Sequence, residues 1–227
     1  FGYSALSNTT TGGANTAIGY EAGKFNQTGT GNVFIGDQAG KGVFENSPGG
    51  NVGIGYRALM GITNGSGNVV LGQYAADSLT SAQNNVIIGN SAGATMTTTS
   101  YTVLIGDNAG NDINSTNGDG TVAIGYYAGS KITSGIGNHA IGYQALNAED
   151  DGHYSTAIGY QALRSQTGNS AEVGNTAIGY QAADALTTGR FSVFMGAHAG
   201  GAITTGGYNV AIGYGAMRYP TGLTGNV

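Results

Sequence analysis

Few side chains in this sequence have the types and spacing that chemistry needs. The three histidines, His139, His153 and His198, lie at least 14 residues apart. No recurring Asp or Glu accompanies them. A metal site or a nucleophile–base pair needs converging partners, so these read as isolated surface or wall residues. The run Glu149-Asp150-Asp151 could offer carboxylates to a cation, but the glycine-rich calcium nonapeptide is missing, and a solvated loop is the expectation. Gly53-Ile54-Gly55-Tyr56-Arg57-Ala58 matches the dinucleotide pattern G-x-G-x-x-A without the strand–helix–strand unit that gives the pattern meaning. With 12 acidic residues scattered through the chain, the paired carboxylates of a glycosidase are a weak prospect. No enzymatic activity, metal or cofactor is expected. Asn8, Asn26, Asn64 and Asn114 open N-x-S/T triplets, which arise readily in a Thr- and Asn-rich chain.

The remaining candidates are aromatic. Tyr126, Tyr143, Tyr160 and Tyr180, with Gln144, Gln161 and Gln181 beside the last three, form a recurring Tyr-Gln element. A row of aromatics with adjacent amides is suited to stacking on sugar rings. These seven residues are the candidate glycan or surface contacts. The competing reading is that the rings cover an edge of the fold and stack on one another.

What positions them is a repeat. The glycine of Asn175-Thr176-Ala177-Ile178-Gly179-Tyr180-Gln181-Ala182 recurs at Gly2, Gly19, Gly36, Gly55, Gly72, Gly89, Gly106, Gly125, Gly142, Gly159, Gly179, Gly196 and Gly213. Nine of the twelve intervals are 17 residues, two are 19 and one is 20. A short period kept over a whole chain marks a solenoid, whose coils bury their apolar sides only against neighbours. The expectation is one continuous all-β array over residues 1–227, a parallel β-solenoid of about 13 coils. Its length variation is confined to the Thr/Asn/Gly loops of Lys41–Gly50, Asn111–Gly120 and Arg164–Gly174.

Aligned on the glycine, the positions become columns. Asn stands four residues before it in eight units, Val three before it in eight, and Ile immediately before it in ten. Ala lies three residues after it in every unit, and an apolar residue follows at Ile62, Leu79, Met96, Ile113, Ile132, Leu186 and Ile203, read as an inward column. β-Branched residues two apart read as a short strand with one buried face. The expectation is that the Val and Ile columns line the coil's own core. The residue between them is never polar. At Ala17, Phe34, Val70, Ile87, Leu104, Ala123, Ala140, Ala157, Ala177, Phe194 and Ala211 it would then form an outward apolar stripe needing a second partner, so these residues are the expected oligomer interface.

Composition agrees with stacked coils: 44 glycines, 8% charged residues and 40% hydrophobics. A net charge of −5 with seven scattered Lys and Arg provides no basic stripe for nucleic acid. No apolar run is long enough for a membrane span, and there is no cysteine. Both ends fall inside a unit, so we expect an excerpt of a longer fibre.

NTAIGYQA and its variants, Gly31-Asn32-Val33-Phe34-Ile35-Gly36-Asp37-Gln38-Ala39-Gly40 and Tyr208-Asn209-Val210-Ala211-Ile212-Gly213-Tyr214-Gly215-Ala216, resemble the arrays of phage and prophage-type tail fibres. They are similar also to the head repeats of trimeric autotransporter adhesins, although the period is longer here. The resemblance covers nearly the whole chain. It implies a left-handed solenoid assembled as a parallel homotrimer, an extracellular, cell-surface or virion location, and a shaft that serves attachment to a receptor or glycan. The alternative is a ligand-binding solenoid for carbohydrate or ice; against ice stands the expectation that the Thr positions shift between columns.

Overall fold

The computed structural model describes residues 1–44, 46–114, 118–168 and 172–219. It is an all-β parallel solenoid. Twelve three-residue strands, β1 (Thr16–Ile18) to β12 (Val210–Ile212), form one sheet in which each strand pairs in parallel with the next in sequence order. No helix occurs among the described residues. The thirteen glycines correspond to twelve strands, since only Phe1 precedes Gly2 and that unit has no strand, and the eleven steps between twelve strands make about eleven turns. At the ordinary strand spacing the sheet is roughly 50 Å long. The pairing keeps the columns in register through every long loop: Phe34 still pairs with Gly53, Leu104 with Ala123 and Ala157 with Ala177.

The repeat glycine permits this register. It leaves each strand at φ between 119° and 142°, and a Cβ at Gly142 would lie 2.4 Å from the carbonyl oxygen of Gly159 in the next coil. Across the stacked coils that distance is 2.2 to 2.7 Å, so no side chain fits. Two tight turns follow, with left-handed residues two and four positions after the glycine, as at Gln161 and Leu163. Backbone amides are used along the rod in both directions. The Gly36 amide donates to Ile18 at 2.8 Å and the Gly40 amide to Ala58 at 2.8 Å.

The asparagine column supplies a second ladder, wholly buried from Asn32 to Asn85. Each Oδ1 accepts the backbone amide and the Nδ2 of the next Asn, as Asn51 does from Asn68 at 3.0 and 2.9 Å. The second proton of Asn68 Nδ2 goes to the Ala82 carbonyl at 2.9 Å. The series runs Asn15, Asn32, Asn51, Asn68, Asn85 and ends on Thr102, whose hydroxyl donates to Asn85 at 2.8 Å. Buried amides are costly unless satisfied, and like stacked on like satisfies them.

The orientation of the strand is the reverse of that expected. Ala17, Phe34, Val70, Ile87, Leu104, Ala123, Ala140, Ala157, Ala177, Phe194 and Ala211 are buried inside one chain and form its core, with the invariant alanines and the Ile62–Ile203 column. They are not available to a second chain. The Val and Ile columns point outward instead. The reason lies in size. Beside the central strand residue stands the residue four after the glycine: Phe34 meets Gly40, Gly53 meets Leu59 and Phe194 meets Gly200, and the same two columns hold Val70 with Ala76 and Ala157 with Leu163. A Cβ on Gly200 would fall 2.3 Å from the Phe194 ring, and one on Gly40 2.2 Å from that of Phe34. One coil interior has room for a large residue from one of the two columns.

This sharing predicts non-additivity. Phe194→Ala alone should cost about 3–5 kcal/mol, as a core truncation does, and Gly200→Leu alone about 1–3 kcal/mol by overpacking. The double variant recreates the Ala157–Leu163 pair and should recover most of the loss in urea unfolding. Additive losses would contradict the shared-space assignment.

Candidate functional surfaces

The outward Val and Ile columns make the largest uniform surface. Two positions from each of twelve strands face outward, and only Thr16, His139, Thr156 and Thr176 among them are polar; none is charged. Exposure is substantial even mid-sheet, at 38% for Val69, 37% for Ile88 and 36% for Ile158. The apolar area is on the order of 1,000 Å², beyond the few hundred Å² usual for a monomer's contiguous patches.

Immediately past the corner glycine lies the tyrosine column. Tyr126, Tyr143, Tyr160 and Tyr180 stack in sequence, with centroids 5.3, 4.9 and 5.3 Å apart and planes within 13° of parallel. The glutamines beneath them form their own chain. Gln161 Nε2 donates to Gln144 and Gln181 Nε2 to Gln161, both at 2.9 Å. The structure thus brings the seven candidate contact residues into one ladder. It also limits what they can do: the faces of Tyr143 and Tyr160 are covered on both sides by neighbouring rings, and sugar stacking needs an open face. What the ladder offers outward is ring edges and hydroxyls. Burial, then Tyr127, Tyr143 and Asp107, push the Tyr126 phenol pKa up.

The histidines stay apart. His139 sits on the apolar sheet face, His153 Nδ1 accepts the Ile136 amide at 3.1 Å, and His198 packs edge-on between Tyr180 and Tyr214. Among the described residues no group of three His, Asp or Glu side chains is arranged to hold a metal. Gly53 is a strand centre, Gly55 a corner and Ala58 a buried column member. Of the four glycosylation triplets, the Ser115 and Thr116 that complete the Asn114 triplet lie outside the described residues, and Asn26 is fully buried.

The acidic run is not a uniformly solvated loop. Glu149 is buried at the position that Ile132 and Leu186 hold in other coils. Its Oε1 accepts the amides of Asp150, Gly152 and Gly168 at 3.0, 2.8 and 2.6 Å, and its Oε2 accepts from Gln166, which occupies the same column one coil on. The carboxylate ties Gln166 and Gly168 to the coil beneath them. The signal was in the sequence: a Glu and a Gln on successive turns at an otherwise apolar column position.

Several cations are paired with carboxylates, most of them one coil away. Lys41 and Lys24 both grip Glu21, at 2.7 and 2.6 Å, Arg57 pairs with Asp77 at 3.0 Å and Lys131 with Asp112 at 3.0 Å. A depression of about 400 Å³ lined by Asp112, Lys131, Thr133 and Asp150 has its charges and hydroxyl already engaged with each other. Thr63, Thr80 and Thr97 do share one column, contrary to expectation, but their hydroxyls donate to the carbonyls of Thr80, Thr97 and Asn114 in the next coil. No family model, curated protein or solved structure matches the chain.

The Glu21 cluster carries a pH prediction. Hydrogen bonds from Lys24 and then Lys41 hold the Glu21 carboxyl below its ordinary value of 4.5. A depressed carboxylate stabilises the fold above its unfolded pKa, and that contribution is lost as pH falls through the folded one. Replacing Lys24 and Lys41 by Met should flatten the decline of stability below pH 4.5, measured by denaturant unfolding in parallel with the parent. Equal acid slopes would contradict it.

Proposed function

We propose that this chain is the structural shaft of an extracellular or virion fibre of the tail-fibre or adhesin type, built from several copies packed through the Val and Ile face. The observation that carries the reading is that face: uncharged, apolar at all but four of its outward positions, and running the length of the sheet. Burying it against further copies removes an area comparable to the roughly 800 Å² per partner of a specific interface. A homotrimer with parallel chains is the arrangement implied by the resemblance to fibre repeats, and attachment to a cell surface or glycan is the role that follows. The rigidity a shaft needs has its support in the glycine register and the asparagine ladder.

A ligand-binding solenoid is the second reading, favoured by the aligned Thr63, Thr80 and Thr97. It ranks behind the shaft because those hydroxyl protons are engaged within the rod.

The test is the association state. The chain at micromolar concentration should appear as a trimer in mass photometry. Ile88→Glu with Ile124→Glu should yield monomers with unchanged circular dichroism, since each carboxylate would be buried unpaired at a cost of several kcal/mol. A parent chain that remains monomeric would overturn the reading.

A further inference from the structure

The tyrosine ladder places like phenols next to one another more regularly than any other reactive group here. Its rungs cannot drift apart, because strand pairing and the Gln144–Gln161–Gln181 chain hold their coils in register. Tyr126, Tyr143, Tyr160 and Tyr180 are 40–49% exposed. With ring faces covering each other, solvent reaches the ring edges, which carry the phenol oxygen and the ortho carbons. Those are the atoms activated when a phenol loses one electron and one proton, because the spin of the phenoxyl radical is shared between them.

We propose that this ladder is a site of oxidative coupling, at which a peroxide-driven one-electron oxidant joins adjacent rungs as dityrosine and locks successive coils covalently. Two phenols each surrender one hydrogen atom, and their ortho carbons form a bond. The hydrogens on those carbons move to the phenol oxygens as the rings regain aromaticity, and one hydrogen peroxide is reduced to two waters. Tyr143–Tyr160 is the favoured pair, with the shortest centroid distance of the run, 4.9 Å, and planes 7° apart. Tyr3–Tyr20, stacked at 5.7 Å, is a two-rung version of the same arrangement. Tyr208 packs against Phe191 and Tyr154 against His153, and neither of those rings can complete a dityrosine.

Within-chain coupling does not depend on the shaft reading, because the rungs belong to one chain. The full chain would be treated with a haem peroxidase and limiting hydrogen peroxide, as a mixture of isotopically labelled and unlabelled protein. Digestion and tandem mass spectrometry then separate links within a chain from links between chains. The expected result is dityrosine fluorescence and peptides joining Tyr143 to Tyr160 and Tyr160 to Tyr180 within one chain, each lighter by two hydrogens. Tyr143→Phe with Tyr180→Phe keeps the aromatic stack, and an unchanged melting curve would show that it keeps the fold. It leaves Tyr160 with no neighbouring phenol in the run and should abolish those links. Three results would overturn the proposal: no dityrosine while Tyr101 and Tyr208 are oxidised, links spread evenly over exposed tyrosines, or an unchanged yield in the double variant.

Discussion

The structure depends on the close approach of one coil's corner to the next. With a carbonyl oxygen 2.2 to 2.7 Å from where a Cβ would stand, the repeat glycine sets the distance between coils and leaves one register available. Everything else is a consequence of exact superposition. Residues of one column meet their own kind, so amides stack on amides, phenols on phenols and methyl groups on methyl groups. A solenoid of this sort turns a local motif into stripes running its full length. Each stripe then has one property: buried amide ladder, packed core, apolar sheet face or aromatic edge.

The core obeys a volume rule within that frame. The strand's central residue and the residue after the invariant alanine divide one space, which is why Phe34 requires Gly40 while Ala157 tolerates Leu163. Deviations are absorbed by local chemistry. Where the third core column turns polar, Glu149 and Gln166 satisfy each other and the nearby amides. The price in conformational strain is visible in the turns, where non-glycine residues such as Gln161 and Leu163 hold positive φ in coil after coil. Regular stacking of this kind offsets a strain that isolated turns would relieve.

Much of this was legible from spacing. The period, the strand positions, the loops that carry length variation and the Ile62–Ile203 core column all follow from aligning the glycines, because translation symmetry leaves a direct trace in a sequence. The sense of the strand did not follow from polarity. Thr176-Ala177-Ile178 has no clear polar side, and in a three-residue strand alternation offers one inward position or two without deciding between them. The Phe34–Gly40 and Gly53–Leu59 size exchange would have decided it, since residues that trade volume must share a space. Reversing the sense moves the proposed self-association surface from the Ala/Phe column to the Val/Ile columns. The aromatic column was found, and of the two readings its residues allowed, rings that stack on one another along the coil edge is the one the structure shows.

The Val and Ile columns face outward, and we propose that they meet further copies of the chain. A cryo-EM cross-section of the assembled fibre tests it most directly. The account predicts three coils around a common axis, with Val69, Ile88, Ile124 and their column mates lining it and the tyrosine ladder at the edge of the contact. A cross-section holding one coil, or one in which the Thr-rich loops meet at the axis while the Val and Ile face lies open to solvent, would contradict it.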